Sequence, residues 1–317
     1  MELSVVIPVY NEEENVEPLI CEVNGVLQPL RKNYEIVVVD DGSQDGTFFQ
    51  LSRLHAQHTW LKVVRLKRNF GQTAAMAAGL AYAEGDIVAM MDGDAQNDPR
   101  DIPALLAKLD EGNDLVAGWR FNRQDPFLSR RLPSIIANRL ISWTTQVKLH
   151  DYGCTLKVMR KDVAKNLKLY GEMHRFIPAI AYERGARVAE LKVNHRARLR
   201  GKSKYGMMRT LRVILDLLTV KFLISYSTRP SHIFGPIGIV SGGVGFLFAA
   251  YLSFEKLVYG TAIGGRPLLL LAVLLIFSGF QFITMGLLGE MLARTYHESQ
   301  DRPVFVVGEI LDGGERA

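Results

Sequence analysis

Cysteine is the scarcest chemistry in this chain: only Cys21 and Cys154 occur among 317 residues. Two cannot build a disulfide framework and they lack metal-ligand spacing, so both read as reduced core thiols in a cytosolic domain. Phosphate-binding glycine loops are missing too. No Gly-x-Gly-x-x-Gly opens a helix after the first apolar run, and no Walker-type Gly-x-x-x-x-Gly-Lys-Ser/Thr loop occurs. The usual grip on NAD and the usual ATPase site are therefore excluded. Phosphate charge has to be met by a metal and basic side chains instead. There is no solenoid repeat and no low-complexity tract. The chain enters Leu3-Ser4-Val5-Val6-Ile7-Pro8 with no basic-then-apolar leader before it, so the first domain is expected to stay in the cytoplasm.

What is abundant is apolar surface and positive charge. Hydrophobic residues make up 48% of the chain and mean hydropathy is +0.07, high enough to call for membrane segments. A net charge of +5 points to an anionic partner: nucleic acid, lipid headgroups or a phosphorylated substrate.

Residues 1–120 alternate short apolar runs with helical patterns, the mark of βαβ units and a parallel sheet. Leu3–Ile7 is expected as a strand and Glu12–Leu30 as a helix. Tyr34–Val39 reads as a strand, Gly46 to about Gln57 as a helix and Leu61–Leu66 as a third strand. Thr73–Ala83 reads as a small-residue helix, Ile87–Met91 as a strand and Leu115–Ala117 as another. Polar residues stand where these runs stop: Pro8, Tyr10, Asn11 and Glu12; Asp40 and Asp41; Asp92 and Asp94. A parallel sheet gathers such ends along one edge, where open α/β folds bind ligands. Asp92-Gly93-Asp94 there offers two hard-oxygen donors around a glycine that lets the backbone come close. That pattern can hold a divalent cation against a diphosphate.

The second half changes character. Arg196, Arg198, Arg200, Lys202, Lys204, Arg209 and Arg212 occur with no acid between them. Met207 to Tyr226 has apolar residues at helical spacing broken by Arg212, Asp216 and Lys221, as in a helix lying in a membrane interface. Ser231–Phe254 and Pro267–Gly289 contain no acid, lysine or arginine. At roughly 1.5 Å per residue each can cross a hydrocarbon core about 30 Å thick. The basic excess lies before the first stretch and after the second, which places both ends on the cytoplasmic side. The expected layout is a cytosolic catalytic domain over 1–205, interfacial helices over 206–230 and spans over 231–259 and 267–293. An extracytoplasmic turn over 260–266 joins the spans, and a cytoplasmic tail covers 294–317.

Several motifs carry a resemblance. Val6-Ile7-Pro8-Val9-Tyr10-Asn11-Glu12, Val39-Asp40-Asp41-Gly42-Ser43, Asn69-Phe70-Gly71 and Asp92-Gly93-Asp94-Ala95-Gln96 resemble family 2 glycosyltransferases. Arg198-Leu199-Arg200-Gly201-Lys202-Ser203-Lys204-Tyr205 is similar to the polyprenyl-phosphate sugar transferases of the dolichol-phosphate mannose synthase type. Asn122-Arg123-Gln124-Asp125, Asp151-Tyr152-Gly153-Cys154 and Met285-Gly286-Leu287-Leu288-Gly289-Glu290 resemble the undecaprenyl-phosphate aminoarabinose transferase branch. Together these cover essentially the whole chain.

The resemblance implies an α/β, GT-A nucleotide-sugar-binding fold (a Rossmann-like, mostly parallel sheet) followed by an interfacial helix and two transmembrane helices. It implies inverting, metal-dependent transfer of a sugar from a nucleotide sugar to an undecaprenyl or dolichyl monophosphate. Pro8, Tyr10, Glu12 and Asp41 would contact the nucleobase end, with Gly71 in the same nucleotide-sugar site. Asp92, Asp94 and Gln96 would form the metal and diphosphate motif, for Mg2+ or Mn2+. Arg120, Arg198, Ser203 and Lys204 match acceptor-phosphate positions, and the catalytic weight would fall on Asp94, Asp151 and Arg120. Gly93 and Ala95 depart from the alanine and leucine common in relatives, without touching the ligating positions. The likeness favours UDP over GDP. A homo-oligomer in the inner membrane, a separate flippase and a downstream transferase are expected, and no nucleic acid. Two readings compete. A processive polysaccharide synthase is opposed by the presence of only two spans and by the lack of a Gln-x-x-Arg-Trp motif. A non-enzymatic, membrane-tethered binding module leaves the strand-end acids unexplained.

Overall fold

The first strand, β1 (Leu3–Val9), is buried along its whole length, which is why its apolar run shows no alternation. It pairs in parallel with β2 (Tyr34–Asp40) on one side and β4 (Ile87–Met90) on the other, and β2 pairs in parallel with β3 (Leu61–Leu66). In the computed structural model these strands belong to an eight-stranded sheet of order β7-β5-β6-β4-β1-β2-β3-β8. The remaining strands are β5 (Leu115–Arg120), β6 (Lys157–Arg160), β7 (Val188–Val193) and β8 (Val307–Leu311). The structure describes residues 1–121, 147–167, 173–196, 231–299 and 304–312, with Ser142 and Leu169 singly. The expected interfacial helices and the motif residues Arg198, Ser203 and Lys204 lie outside the described residues, as does the Asn122–Asp125 motif.

Strand β6 runs antiparallel to both β4 and β5, so β5 points the same way as β1 to β4. Strand β7 is parallel to β5, and β8 closes the far edge antiparallel to β3. The sheet is thus mixed but predominantly parallel in its centre. Helix α1 (Val16–Leu27) buries Val16, Leu19, Ile20, Val23 and Leu27, one stripe at three- and four-residue spacing. Helices α2 (Thr47–Gln57), α4 (Ile102–Asp110), α5 (Lys161–Asn166) and α6 (Ile177–Glu183) are shorter. Helix α3 (Gln72–Tyr82) buries Ala74, Ala75, Ala78 and Gly79, small enough for close seating on β1 and β2.

The first helix begins later than the Glu12 expected, because Glu12 to Asn15 form a turn in which the Glu12 carbonyl accepts from Asn15 and Val16. After Leu27 the chain tightens into a 3-10 turn over Gln28–Leu30, with Pro29 inside it. Strand β5 runs three residues further than expected, to Arg120, because β7 pairs with it up to Arg120 opposite Val193.

The chain divides into two compact units, Met1–Leu217 with Pro303–Ala317, and Leu218–Arg302. Residues 307–311, expected only as part of a tail, therefore return to the catalytic sheet. The second unit contains α7 (Ser231–Tyr259) and α8 (Pro267–Ser299). Within them Phe234–Tyr259 and Pro267–Gly289 are long and apolar enough to cross a membrane. The two helices meet through small residues: a Cβ added at Gly279 would lie 2.6 Å from the Gly238 carbonyl oxygen, and one at Gly238 would lie 2.7 Å from that of Gly279. Phe246, Leu247, Phe277 and Phe280 point outward and are exposed.

Candidate active site

Because β1, β2, β4 and β5 run in one direction, their C-terminal ends share one edge of the sheet. Tyr10 to Glu12, Asp40 and Asp41, Asp92 and Arg120 are all brought there. The antiparallel β6 begins at this edge, with Lys157 opposite both Met90 and Ala117.

Asp92 is held from two sides. Its Oδ1 accepts from Gln72 Nε2 at 2.7 Å, and its Oδ2 accepts from Thr155 Oγ1 at 2.6 Å. The Thr155 hydroxyl also lies 3.0 Å from Asn97 Oδ1. It has one proton, and the shorter contact to a carboxylate takes it. Asn97 Oδ1 in turn accepts from the Asp92 N–H at 3.2 Å. Burial raises the Asp92 carboxyl to about 6 and the Asp94 charge adds to the rise, while the Thr155 bond and the charges of Arg120 and Lys157 oppose it. Asp94 Oδ1 accepts from the Gln96 N–H at 3.2 Å. Between the two acids, a Cβ at Gly93 would stand 2.5 Å from Val9 Cγ1 and 2.9 Å from the Pro8 carbonyl oxygen. Glycine therefore fits tightly here, and an alanine would need β1 to give way. Ala95 has φ of 58°, in the left-handed region that costs a non-glycine residue roughly 1–2 kcal/mol.

Arg120 and Asp151 form a bidentate pair, Nε to Oδ2 at 2.7 Å and one terminal nitrogen to Oδ1 at 3.0 Å. Both side chains are largely buried, 14% and 6% exposed, so neither charge is lent to solvent. Burial disfavours the Arg120 cation, but the hydrogen bond and charge of Asp151 outweigh it and the pKa is raised. Asp151 Oδ1 also accepts from the Gly153 N–H at 3.0 Å. The carboxylate of Asp151, one of the residues on which catalytic weight is expected to fall, is committed to Arg120.

Lys157, which carried no sequence signal, is buried at 1% exposure. Its ammonium donates to the Cys154 carbonyl, and burial lowers its pKa against the charges of Cys154, Asp151 and Asp92. Burial pushes the Cys154 thiol up to about 11, so it stays protonated at neutral pH. His174 is likewise buried, its Nδ1 lies 2.7 Å from Thr73 Oγ1, and burial takes its pKa down to about 3. It is a neutral imidazole bracing the start of α3, next to the Gln72 that binds Asp92. Gln72, Thr73, Asn97, Thr155, Lys157 and His174 are the neighbours that sequence reading missed. Only the adjacency of Gln72 to Gly71 and of Asn97 to Gln96 hinted at any of them.

On the other flank, Asp41 Oδ1 accepts from the Phe70 N–H at 2.7 Å and Oδ2 from the Gly71 N–H at 2.9 Å. Burial raises its pKa and those two backbone bonds oppose the rise. Asp40 Oδ1 accepts from the Ser43 N–H, and its Oδ2 lies 3.6 Å from Arg65 Nε. The Asn11 N–H donates to Ser43 Oγ and the Glu12 N–H to Thr47 Oγ1, each at 2.9 Å. Asp41, Gly71 and the Glu12 backbone thus meet at one corner of the edge, beside the end of β1 that carries Pro8 and leads into Tyr10. Arg196, first in the basic run, is tied down by both oxygens of Glu22, at 2.9 and 2.8 Å, and by Asp98 at 2.6 Å.

Among the described residues no group of three His, Cys, Asp or Glu could hold a metal alone. Two carboxylates separated by one residue do fit a cation such as Mg2+ that completes its shell with substrate phosphates and water. Such a site is built half by protein and half by ligand.

A family model described as glycosyl transferase family 2 matches residues 4–168, and the chain belongs to that family: it is a glycosyltransferase. It is 46% identical over 321 residues to a dodecaprenyl-phosphate galacturonate synthase from Rhizobium johnstonii, covering 100% of this chain and 95% of that one. It is 39% identical over 314 residues to an undecaprenyl-phosphate 4-deoxy-4-formamido-L-arabinose transferase from Pseudomonas fluorescens, covering 98% and 90%. The expected polyprenyl-phosphate glycosyltransferase resemblance is borne out by these relatives. Glucosyl-3-phosphoglycerate synthase from Mycobacterium tuberculosis, solved with Mn2+, UDP and glucosyl-3-phosphoglycerate, shares the fold with a TM-score of 0.55 at 20% identity. That superposition covers 72% of this chain and 82% of the other, and it bears out the expected GT-A architecture.

Proposed function

We propose that this protein transfers a sugar from a UDP-sugar to a polyprenyl monophosphate at the inner membrane, with inversion and with a divalent metal. The single observation that carries the reading is the opposition of two charged pairs on one sheet edge. Asp92 and Asp94 stand at the end of β4 and the Arg120–Asp151 pair at the end of β5. The first suits the leaving diphosphate and the second an attacking phosphate. The Mn2+ and UDP of the Mycobacterium enzyme support the metal and the nucleotide. A divalent cation at Asp92 and Asp94 would neutralise charge on the leaving group.

An acceptor phosphate monoester has its second pKa near ~6 and is mostly dianionic at neutral pH. It needs alignment behind the anomeric carbon more than it needs a base. Asp151, doubly bonded to a guanidinium, suits the orienting role: it fixes the Arg120 fork through Nε and one terminal nitrogen, and the other terminal nitrogen, outside this pair, is the one to address a phosphate. Arg198, Ser203 and Lys204 are assigned to the same acceptor phosphate by the motif they form. The apolar helices α7 and α8 would hold the protein where its lipid substrate lies. A homo-oligomer, a flippase and a downstream transferase complete the proposed setting.

The higher identity to a galacturonate synthase than to the aminoarabinose transferases makes a uronic acid the first donor sugar to test. Purified protein is incubated with a panel of UDP- and GDP-sugars, undecaprenyl phosphate and Mn2+ or Mg2+, and lipids are read by mass spectrometry. The expected product is one sugar phosphodiester-linked to the lipid, with UDP-galacturonic acid the best donor. Polymer alone, or no lipid product with any donor, would sink the reading.

A further inference from the structure

We propose that the C-terminal strand β8 is a working part of the nucleotide site, holding in place the loop from β3 to α3 that lines it. This rests on the reading of that corner as the donor site.

The loop is anchored at both ends. At its far end, the Phe70 and Gly71 N–H groups are gripped by the two oxygens of Asp41. At its near end, the Lys67 N–H donates to the Val306 carbonyl at 3.0 Å, just where β8 enters the sheet. Only Arg68 and Asn69 lie between the two anchors. Strand β8 starts at the ligand edge because it is antiparallel to β3: Val307 faces Leu66, Glu309 faces Arg65 and Leu311 faces Val63, with a register shift between Arg65 and Leu66. The shift coincides with the turn of the chain out of β3 and into the loop. It also sets Arg65, whose guanidinium lies 4.1 Å over the Phe48 ring and 3.6 Å from the buried Asp40.

At the opposite edge of the sheet the same strand is fastened by charge. Asp312 Oδ2 lies 3.0 Å from the Lys62 ammonium, which also meets Glu84 at 2.7 Å and Glu35 at 3.5 Å. Lys62 is only 8% exposed on its side chain and Asp312 is 46% exposed, so Asp312 reaches from the surface to a buried ammonium already paired with Glu35 and Glu84. The loop has no slack to absorb the loss of β8. The Arg68 backbone packs so closely on Gly42 (φ of 69°) that a Cβ there would lie 2.5 Å from the Arg68 carbonyl carbon. Gly42 follows Asp41 directly, so a loop released at Lys67 moves against the residue that grips it at Phe70. Without β8, β3 would also become a bare edge, with its own N–H and C=O groups unpaired.

The test uses the full chain in detergent with its two apolar helices intact. Glu309→Pro removes an N–H and fixes φ in the middle of a five-residue strand; a second variant ends at Arg302. Hydrogen exchange of the amides of residues 67–71 and UDP binding in the presence of Mn2+ are measured on each. Expected are faster exchange across 67–71, a rise in the UDP dissociation constant of at least about fivefold, and undecaprenyl-phosphate KM within about twofold. Exchange unchanged in the Glu309→Pro protein overturns the proposal, whatever the nucleotide does. Faster exchange with UDP binding within about twofold of the intact chain overturns it as well. Failure of the intact chain to bind UDP overturns the donor reading itself and this inference with it.

Discussion

A half-buried carboxylate that is expected to hold a metal faces two demands that pH separates. Asp92 is pushed up to about 6, by burial first and by Asp94 second, against about 3.9 in an unfolded chain. A group raised in this way favours the fold while protonated: its contribution is complete below about pH 4 and lost as pH rises through about 6. Metal binding runs the other way, because the ligand must be ionised. Mn2+ affinity in the presence of UDP should therefore hold steady above about pH 7 and fall by up to about tenfold per unit below about pH 6. A series of calorimetric Mn2+ titrations from about pH 7.5 down to about pH 5 checks it. Affinity independent of pH across that range would remove Asp92 from the metal site. Asp92→Asn, which cannot titrate, should lose most of the binding and keep only the shallower pH dependence that the terminal phosphate of UDP, with its pKa near ~6, brings by itself.

At the scale of elements, the same logic of close approach that fixes Gly93 against β1 governs the helix pair. Helices α7 and α8 meet where Gly238, Gly242 and Gly279 let the backbones touch, and Ser241 Oγ donates to the Leu275 carbonyl at 3.1 Å. In a membrane such contacts rest on packing rather than on burial of apolar surface from water. Gly279→Leu puts a large side chain where even a Cβ would stand 2.6 Å from a carbonyl oxygen, an overpacking that typically costs ~1–3 kcal/mol. Thermal unfolding of the full chain followed by helix signal should show a lower midpoint for Gly279→Leu. The exposed Phe280→Leu serves as control. Equal midpoints in the two variants would mean that the helices do not rely on this contact.

The elements best read from sequence were those with a one-dimensional signature. Strands β1 to β4 are apolar runs, of which β1, β2 and β4 stop at polar or acidic residues, and β3 spans Leu61–Leu66 as expected. Helices α7 and α8 are long uncharged stretches. Strand β6, four residues beginning with a lysine, carries no such mark, because its pairing is set by β4 and β5 on either side. Strand β8 exposes most of its side chains, so nothing in its own pattern announces a sheet partner so far away in the chain. The site was legible to the same extent. The strand-end acids could be gathered by topology alone, but the Arg120–Asp151 pair joins the end of β5 to the segment that precedes β6. The Gln72 and Thr155 bonds to Asp92 needed the packing of α3 and of the loop before β6.

For the whole molecule, the return of the chain is the strongest constraint on topology. The segment after α8 supplies β8, which pairs residue by residue with β3, so it must lie on the same side of any membrane as the sheet. Two crossings satisfy this and one does not. If both helices cross, the turn between them, Gly260–Arg266, is expected on the opposite side. Cys154 is buried as expected, but Cys21, also expected in the core, is exposed because it falls outside the buried stripe of α1, so the protein carries its own single accessible reporter for one side. A cysteine at Gly264, where an added Cβ meets nothing within 4 Å, provides the other. In inside-out vesicles a membrane-impermeant maleimide should label Cys21. In right-side-out vesicles it should label only Gly264→Cys made in a Cys21→Ser background. Labelling of both positions from one face would mean that α7 and α8 lie on the bilayer rather than through it, and the lipid acceptor would then have to be met by an interfacial protein.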